Sequence, residues 1–117
     1  MTYMLLIVEP RGQRRERSLE QGREVYARML SYADDLKARG LLLGADALKS
    51  DGEGVRVEVR AGKRRMLDGP FAETKEMVGG YFLIDCASRD EAAAIAAECP
   101  AAEWATVEVR EVGTCYQ

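Results

Sequence analysis

The sequence predicts an α+β fold of the ferredoxin-like type, a split β-α-β sandwich whose strands form an antiparallel sheet. The first observation behind this prediction is the order of the apolar patterns, which is strand, helix, strand, β-hairpin, strand, helix and strand. The second is an internal echo, because residues 3–7 and 81–85 are similar apolar runs that each precede a helix. The length of 117 residues suits one domain, which we place at residues 1–117.

The first strand and the first helix have recognisable boundaries. Residues 3–8 are continuously apolar, which predicts a strand covered on both faces, and residues 9–12 are expected to break it. Ser18 and Gln21 have the spacing of a capping box, so a helix begins at about Ser18, and Gly40 suits its left-handed C-terminal cap. One apolar stripe follows this helix at steps of three and four residues: Leu19, Tyr26, Met29, Leu30, Ala33 and Leu36.

The middle of the chain predicts a second strand and then a hairpin. Residues 41–48 form the strand, and residues 50–54 form a turn. Valines alternate with charged residues over 55–60, so this strand is expected to have one buried and one solvated face. A turn at residues 61–63 then leads into a short return strand at residues 64–67.

The last third of the chain repeats the order strand, helix, strand. Residues 81–86 are apolar on both faces, and the preceding Gly79-Gly80 pair is expected to allow a bend or a close approach of two backbones. Ser88 and Glu91 make a second capping box, whose short helix ends at Pro100. Valines alternate with charged residues in the final strand, at about residues 104–112.

The number of apolar strand faces predicts a homodimer. Two helices cover only one face of such a sheet, yet the strands at residues 3–8 and 81–86 are apolar on both faces. A second copy of the chain is the simplest cover for the other face, since two-fold packing of identical faces needs no separate partner.

The composition excludes several classes of chemistry. The sequence contains no histidine, which rules out a Ser-His-Asp triad, a Cys-His nucleophile and an HExxH metal site. The cysteines Cys86, Cys99 and Cys115 lack the number and spacing of a disulfide framework or a zinc site. We therefore expect reduced thiols, no metal and no cofactor.

Charge and hydropathy predict a cytoplasmic protein with no membrane or nucleic-acid partner. The apolar run at residues 4–8 is too short for a signal peptide or a membrane span, and the formal net charge is -3. Glu16 and Glu20 interrupt the arginines between Arg11 and Arg23, which favours a solvated surface over binding of nucleic acid. Attraction of an anionic small molecule by this basic cluster is an open alternative.

The polar loop that follows the hairpin is the candidate functional segment. Our hypothesis is that Asp68 is catalytic, as a general acid/base, or anchors a substrate, in a cleft shared with the substrate-binding residues Glu73, Lys75 and Tyr81. Tyr3, at the equivalent strand start, would line the same cleft. In the structural alternative Asp68 bonds within its own turn, Lys75 pairs with a glutamate, and both tyrosines are packing residues.

This loop also carries a resemblance to a known family. The run DGPFAETKE at residues 68–76, followed by GGYFLI at residues 79–84, resembles the signature of the DGPF proteins, which belong to the YCII-related (YciI-like) family. TYMLLI at residues 2–7 and VEVR at residues 107–110 extend the resemblance over almost the whole chain. The resemblance implies a dimeric α/β-barrel version of the fold, with a cleft near the sheet and the dimer interface.

The resemblance also implies an enzymatic role without a general substrate. A histidine and an aspartate have been suggested as a catalytic pair in the wider family, and this sequence departs from that pattern because it has no histidine. We therefore expect a small-molecule ligand and a cofactor-free proton transfer, isomerisation or elimination centred on Asp68. The alternative is a non-catalytic regulatory or interaction protein, since genes for DGPF relatives often lie beside those for alternative sigma factors.

Overall fold

Four antiparallel strands with two helices packed on one face account for most of the chain in the computed structural model, which describes residues 1–116. The α+β prediction is therefore confirmed. The strands are β1 (Thr2–Pro10), β2 (Leu42–Ala47), β3 (Val55–Arg60), β4 (Lys63–Asp68), β5 (Glu76–Asp85) and β6 (Thr106–Glu111), and the helices are α1 (Leu19–Ala38) and α2 (Arg89–Ala97).

The main sheet has the strand order β2-β5-β1-β6, and every neighbouring pair is antiparallel. This is the ferredoxin-like order, with the β3–β4 hairpin inserted between β2 and β5 as a separate two-stranded sheet. Strand β1 pairs with β5 from Thr2 opposite Asp85 to Pro10 opposite Glu76. The predicted end of the first strand at residue 8 and the predicted start of the later strand at residue 81 were wrong. Backbone pairing continues to Pro10 and begins at Glu76, because it does not require apolar side chains.

The predicted capping box is confirmed at α1, whereas at α2 only the Ser88 half of it is present. The Ser18 hydroxyl accepts a hydrogen bond from the Gln21 N–H at 3.1 Å, and the Gln21 side chain accepts one from the Ser18 N–H at 2.9 Å. Ser88 caps α2 through the Glu91 N–H, but the Glu91 carboxylate bonds the N–H of Ala87, one residue earlier than in a complete capping box. The α1 helix stops where Gly40 adopts φ +73°, the left-handed conformation that was expected there.

The core lies between the sheet and the C-terminal half of α1. Leu5, Leu36 and Ile84 are fully buried there. Tyr32 packs edge-on against Phe82, with ring centroids 5.1 Å apart, and its hydroxyl donates to the carbonyl of Ile95 at 2.6 Å. This bond connects α1 to α2 inside an apolar environment, and burial raises the pKa of Tyr32.

The opposite face of the sheet is also apolar but is less well covered. Met4, Leu6 and Val8 alternate along β1 with buried residues and remain half-exposed, as does Leu83 on β5. The doubly apolar composition of the two central strands therefore corresponds to a helix-covered face and a face left open in the isolated chain.

The β3–β4 hairpin extends away from the core. Ala61 and Gly62 occupy its two-residue turn with φ values of +52° and +75°, as in a type I′ turn. The expected buried face is wrong for the isolated chain, because Val55, Val57 and Val59 are 48–60% exposed. The alternating pattern specifies an apolar face, but it does not provide an element of the same chain to cover that face.

The loop after the hairpin is attached to Arg11 and to a short 3-10 turn that begins at Asp51. The Arg11 guanidinium binds both carboxylate oxygens of Asp51 and donates from Nε to the carbonyl of Thr74 at 2.8 Å. The same carboxylate accepts from the N–H of buried Phe71, and these contacts, chiefly the bond with Arg11, lower the pKa of Asp51. Gly69 lies directly against Asp51, where a Cβ would overlap the carbonyl oxygen.

Replacing Gly69 with alanine is therefore expected to lower the free energy of unfolding by about 1–3 kcal/mol, because the added methyl must displace backbone atoms. Gly52→Ala is the matched control, since the nearest atom to a Cβ at Gly52 is the Ser50 hydroxyl at 3.9 Å. Urea denaturation of both variants measures the difference. Equal losses at the two positions would contradict the close approach at Gly69.

Candidate functional site

A cavity of about 880 Å³ lies between the N-terminal half of α1 and the sheet. It exists because α1 contacts the core through Tyr32 and Leu36, whereas the earlier part of its apolar stripe is uncovered. Leu19 is 71% exposed, Tyr26 54% and Leu30 49%, and all three line the cavity. The predicted stripe is therefore partly core and partly cavity wall.

A buried ion pair lies at one end of this cavity. Glu9 is 6% exposed, and its two carboxylate oxygens accept from Nε and Nη2 of Arg14 at 2.9 and 2.7 Å. Arg14 also donates to the carbonyls of Leu48 at 2.8 Å and Gly79 at 3.3 Å. The guanidinium thus connects β1, the segment after β2 and the start of β5 through charge-assisted bonds.

The Gly79-Gly80 pair makes room for this ion pair. A Cβ at Gly79 would overlap the carboxylate of Glu9, and one at Gly80 would come within 2.8 Å of the carbonyl oxygen of Asp46. The β1–β5 register shifts between Ile7 and Val8, opposite these glycines. The expected close backbone approach is confirmed at Gly80.

The sequence reasoning missed Glu9 and Arg14 as a functional pair. Glu9 was interpreted as the residue that breaks the first strand, and Arg14 as one member of a solvated basic cluster. The signal was the period of two along β1: Tyr3, Leu5 and Ile7 face the helices, so Glu9 had to face them as well. A carboxylate at a core-facing position requires a partner, and Arg14 follows after one turn.

The loop residues predicted to form the site lie outside this cavity. Asp68 is exposed at the end of β4, and Lys75 is exposed at the far end of the loop. Glu73 pairs with Arg56 of β3 at 2.9 Å, and the Arg56 guanidinium lies over the Phe71 ring at 3.9 Å from its centroid. Glu73 and Phe71 therefore attach the loop to Arg56 of the hairpin.

The two predicted tyrosines lie on opposite faces of the sheet. Tyr3 is 2% exposed in the helix-side core, where its hydroxyl donates to Glu111 at 3.3 Å and burial raises its pKa. Tyr81 donates to Asp46 at 3.0 Å, and this bond raises the pKa of Tyr81. Tyr81 belongs to the sheet wall of the cavity, but its side chain stands on the face of its register partner Leu6, away from the helices. Tyr3, Asp68, Glu73 and Lys75 are not among the lining residues.

Among residues 1–116, two of the three thiols are buried, whereas Cys115 is exposed. Residues 1–116 contain no group of three or more Cys, Asp or Glu side chains that could hold a metal ion. Cys86 and Cys99 are buried, and burial raises the pKa of both thiols, which makes them less reactive. None of the described helices is long and apolar enough to cross a membrane.

Comparison with known proteins gives two matches. The family model of the YCII-related domain matches residues 1–114. An uncharacterized protein of Rhizobium meliloti (strain 1021) is 66% identical over 32 residues, which are 27% of this chain and 26% of that protein. The matched part thus spans about a quarter of the length of this relative.

Removing the cation from the buried pair is expected to destabilise the fold. Arg14→Gln leaves the Glu9 carboxylate buried without its partner, so the free energy of unfolding should fall by about 3 kcal/mol, near the lower end for a buried pair because Arg14 is partly exposed. Arg15→Gln is the matched control, since Arg15 is an exposed neighbour. Urea denaturation compares the two, and equal small losses would show that the pair does not stabilise the fold.

Proposed function

Because the chain belongs to the family of YCII-related domains, we propose that it binds a small organic molecule in the cavity between α1 and the sheet. The observation that carries the proposal is the cavity itself. Its volume of about 880 Å³ lies within the range of small-molecule sites, roughly 300–1,000 Å³. Such sites combine an apolar lining with a few fixed polar groups.

The lining of this cavity has that combination. Ile7, Met29, Leu42 and Phe82 supply an apolar interior between the sheet and α1. The Glu9–Arg14 pair supplies a polar end that is rigid, because the guanidinium is bonded to two backbone carbonyls as well as to the carboxylate. A ligand would therefore meet a preformed site, which limits the conformational entropy lost on binding.

We also propose that two copies of the chain associate through the open face of the sheet, as in a dimeric α/β barrel. The half-exposed side chains of β1 form the apolar centre of this face. Glu108 and Arg110 stand on the same face of β6, opposite Leu6 and Met4 in the register. These opposite charges lie 4.0 Å apart in one chain and are exposed, so they can also pair with the same two residues of a copy related by a two-fold axis, and a second copy is the occupant that we favour.

A proton-transfer, isomerisation or elimination reaction centred on Asp68 is a separate proposal, because Asp68 does not line the cavity. An Asp68-dependent reaction requires that Asp68→Asn abolish turnover of a bound ligand while the thermal unfolding temperature is retained. A variant that binds and turns over the ligand like the wild type would exclude this role.

A non-catalytic interaction protein, including one linked to alternative sigma-factor signalling, is the second candidate. The exposed valine face of the hairpin favours it, because an isolated two-stranded hairpin gains little stability without a covering surface. This candidate is favoured over an enzyme if the wild type binds ligands without turning them over and Asp68→Asn binds them with the same affinity.

Filling the cavity should abolish ligand binding. Ala45 faces α1 from β2, so Ala45→Phe would place a ring in the cavity. We expect at least a tenfold loss of affinity for N-phenyl-1-naphthylamine, an uncharged apolar fluorophore, because the dye could no longer bury its apolar surface in the cavity. Ala94→Phe, on the exposed side of α2, is the control, and equal binding by both variants would place the dye outside the cavity.

A charge on the open sheet face should dissociate the proposed dimer. Leu6→Glu places a carboxylate at its apolar centre, where burial against a second copy would be unfavourable. Sedimentation equilibrium should give twice the chain mass of 13.0 kDa for the wild type and for the control Ser31→Glu on α1, and the single-chain mass for Leu6→Glu. A monomeric wild type at micromolar concentration would overturn the dimer.

A further inference from the structure

The charged residues that line the cavity do not balance one another. Glu9 is neutralised by Arg14, to which it is bonded through both carboxylate oxygens. Asp46 accepts a hydrogen bond from the hydroxyl of Tyr81. Two further arginines, Arg17 and Arg23, also line the cavity.

Neither of these two arginines has a carboxylate partner within residues 1–116. Arg17 precedes α1 and Arg23 lies in its second turn, so both sit at the N-terminal end of the helix. The Arg17 guanidinium lies 5.7 Å from the centroid of the Trp104 ring. A guanidinium held over an aromatic face by a cation–π contact keeps N–H groups free to donate to an oxygen acceptor.

The polarity of the cavity therefore changes along its length. The interior is apolar, whereas the end near the start of α1 carries two cationic side chains whose donors are not used by carboxylates of the described chain. A neutral apolar molecule would gain nothing from these two cations, which would remain hydrated. A doubly charged polar molecule would leave the apolar interior uncovered, which would lose most of the hydrophobic contribution to binding.

We propose that the ligand of this cavity is an amphipathic organic anion, with an apolar body in the interior and one oxyanionic group, such as a carboxylate, bound by Arg17 and Arg23. This inference rests on the proposed function and names the chemical class of its ligand. Arg14 does not distinguish an anionic from a neutral ligand, because its charge is already neutralised by Glu9. Arg17 and Arg23 are the specificity-determining residues of the site.

Two dyes with the same body test the inference. 8-Anilino-1-naphthalenesulfonate carries one sulfonate, and N-phenyl-1-naphthylamine is its uncharged counterpart. The chain has one tryptophan, Trp104, which lines the cavity, and energy transfer to either dye quenches its emission. Quenching that Ala45→Phe abolishes reports binding in the cavity rather than elsewhere on the surface. Each variant is referred to its own emission without dye, because the Arg17 guanidinium lies over the ring.

The decisive variant is Arg17→Gln combined with Arg23→Gln. We expect it to bind the sulfonate dye about tenfold or more weakly, as for the loss of charge-assisted bonds, and the uncharged dye within twofold of the wild type. Arg60→Gln combined with Arg65→Gln removes the same two charges from the hairpin and should leave both affinities unchanged. Arg23→Gln alone is a second variant in which the Arg17–Trp104 contact is retained.

The outcomes separate this inference from the proposed function. A selective loss of the sulfonate dye in the cavity variants, but not in the hairpin variant, supports the inference. Equal binding of both dyes by the wild type, with no selective loss, overturns the anionic class and leaves small-molecule binding intact. Absence of Trp104 quenching by either dye overturns both.

Discussion

The central strand β1 carries a carboxylate into the helix-side core, and much of the surrounding structure accommodates it. A buried charge is tolerated when it is paired and hydrogen-bonded. Arg14 meets this requirement for Glu9, because its Nε and Nη2 atoms each donate to one of the carboxylate oxygens. To reach Glu9, the chain must reverse directly after Pro10, which determines where α1 can begin. The pair lies beside β5 and lines the cavity that remains open between the first half of α1 and the sheet.

The loop that carries the family signature has a structural role, and its contacts lie outside the cavity. Arg11, Asp51 and Phe71 join the loop to the turn before the hairpin, and Gly69 permits the close approach. This network positions the hairpin relative to the sheet. The signature residues thus fix the backbone of this loop against the turn that begins at Asp51. The candidate binding residues come instead from β1, from the turn after it and from α1.

Local patterns predicted most of the fold. The capping residues Ser18 and Ser88 and the left-handed Gly40 were recognisable because each satisfies a local backbone requirement. Properties that depend on distant neighbours were not predictable in the same way. Nothing near Leu19 or Tyr26 in the sequence indicates that these side chains line a cavity instead of packing against the sheet. Likewise, the alternation over 55–60 does not indicate which surface covers the valines. Glu9 could have been recognised by extending the period of two by one residue.

The space left at Gly79 links three distant positions into one evolutionary unit. Any side chain at that position would occupy the volume of the Glu9 carboxylate, and without that carboxylate the half-buried guanidinium of Arg14 would lose its counter-charge. A side chain at 79 therefore requires a smaller residue at 9, and loss of either charged partner alone destabilises the fold. Across relatives, glycine at 79 should co-vary with an acidic residue at 9 and a basic residue at 14, whatever molecule each of them binds.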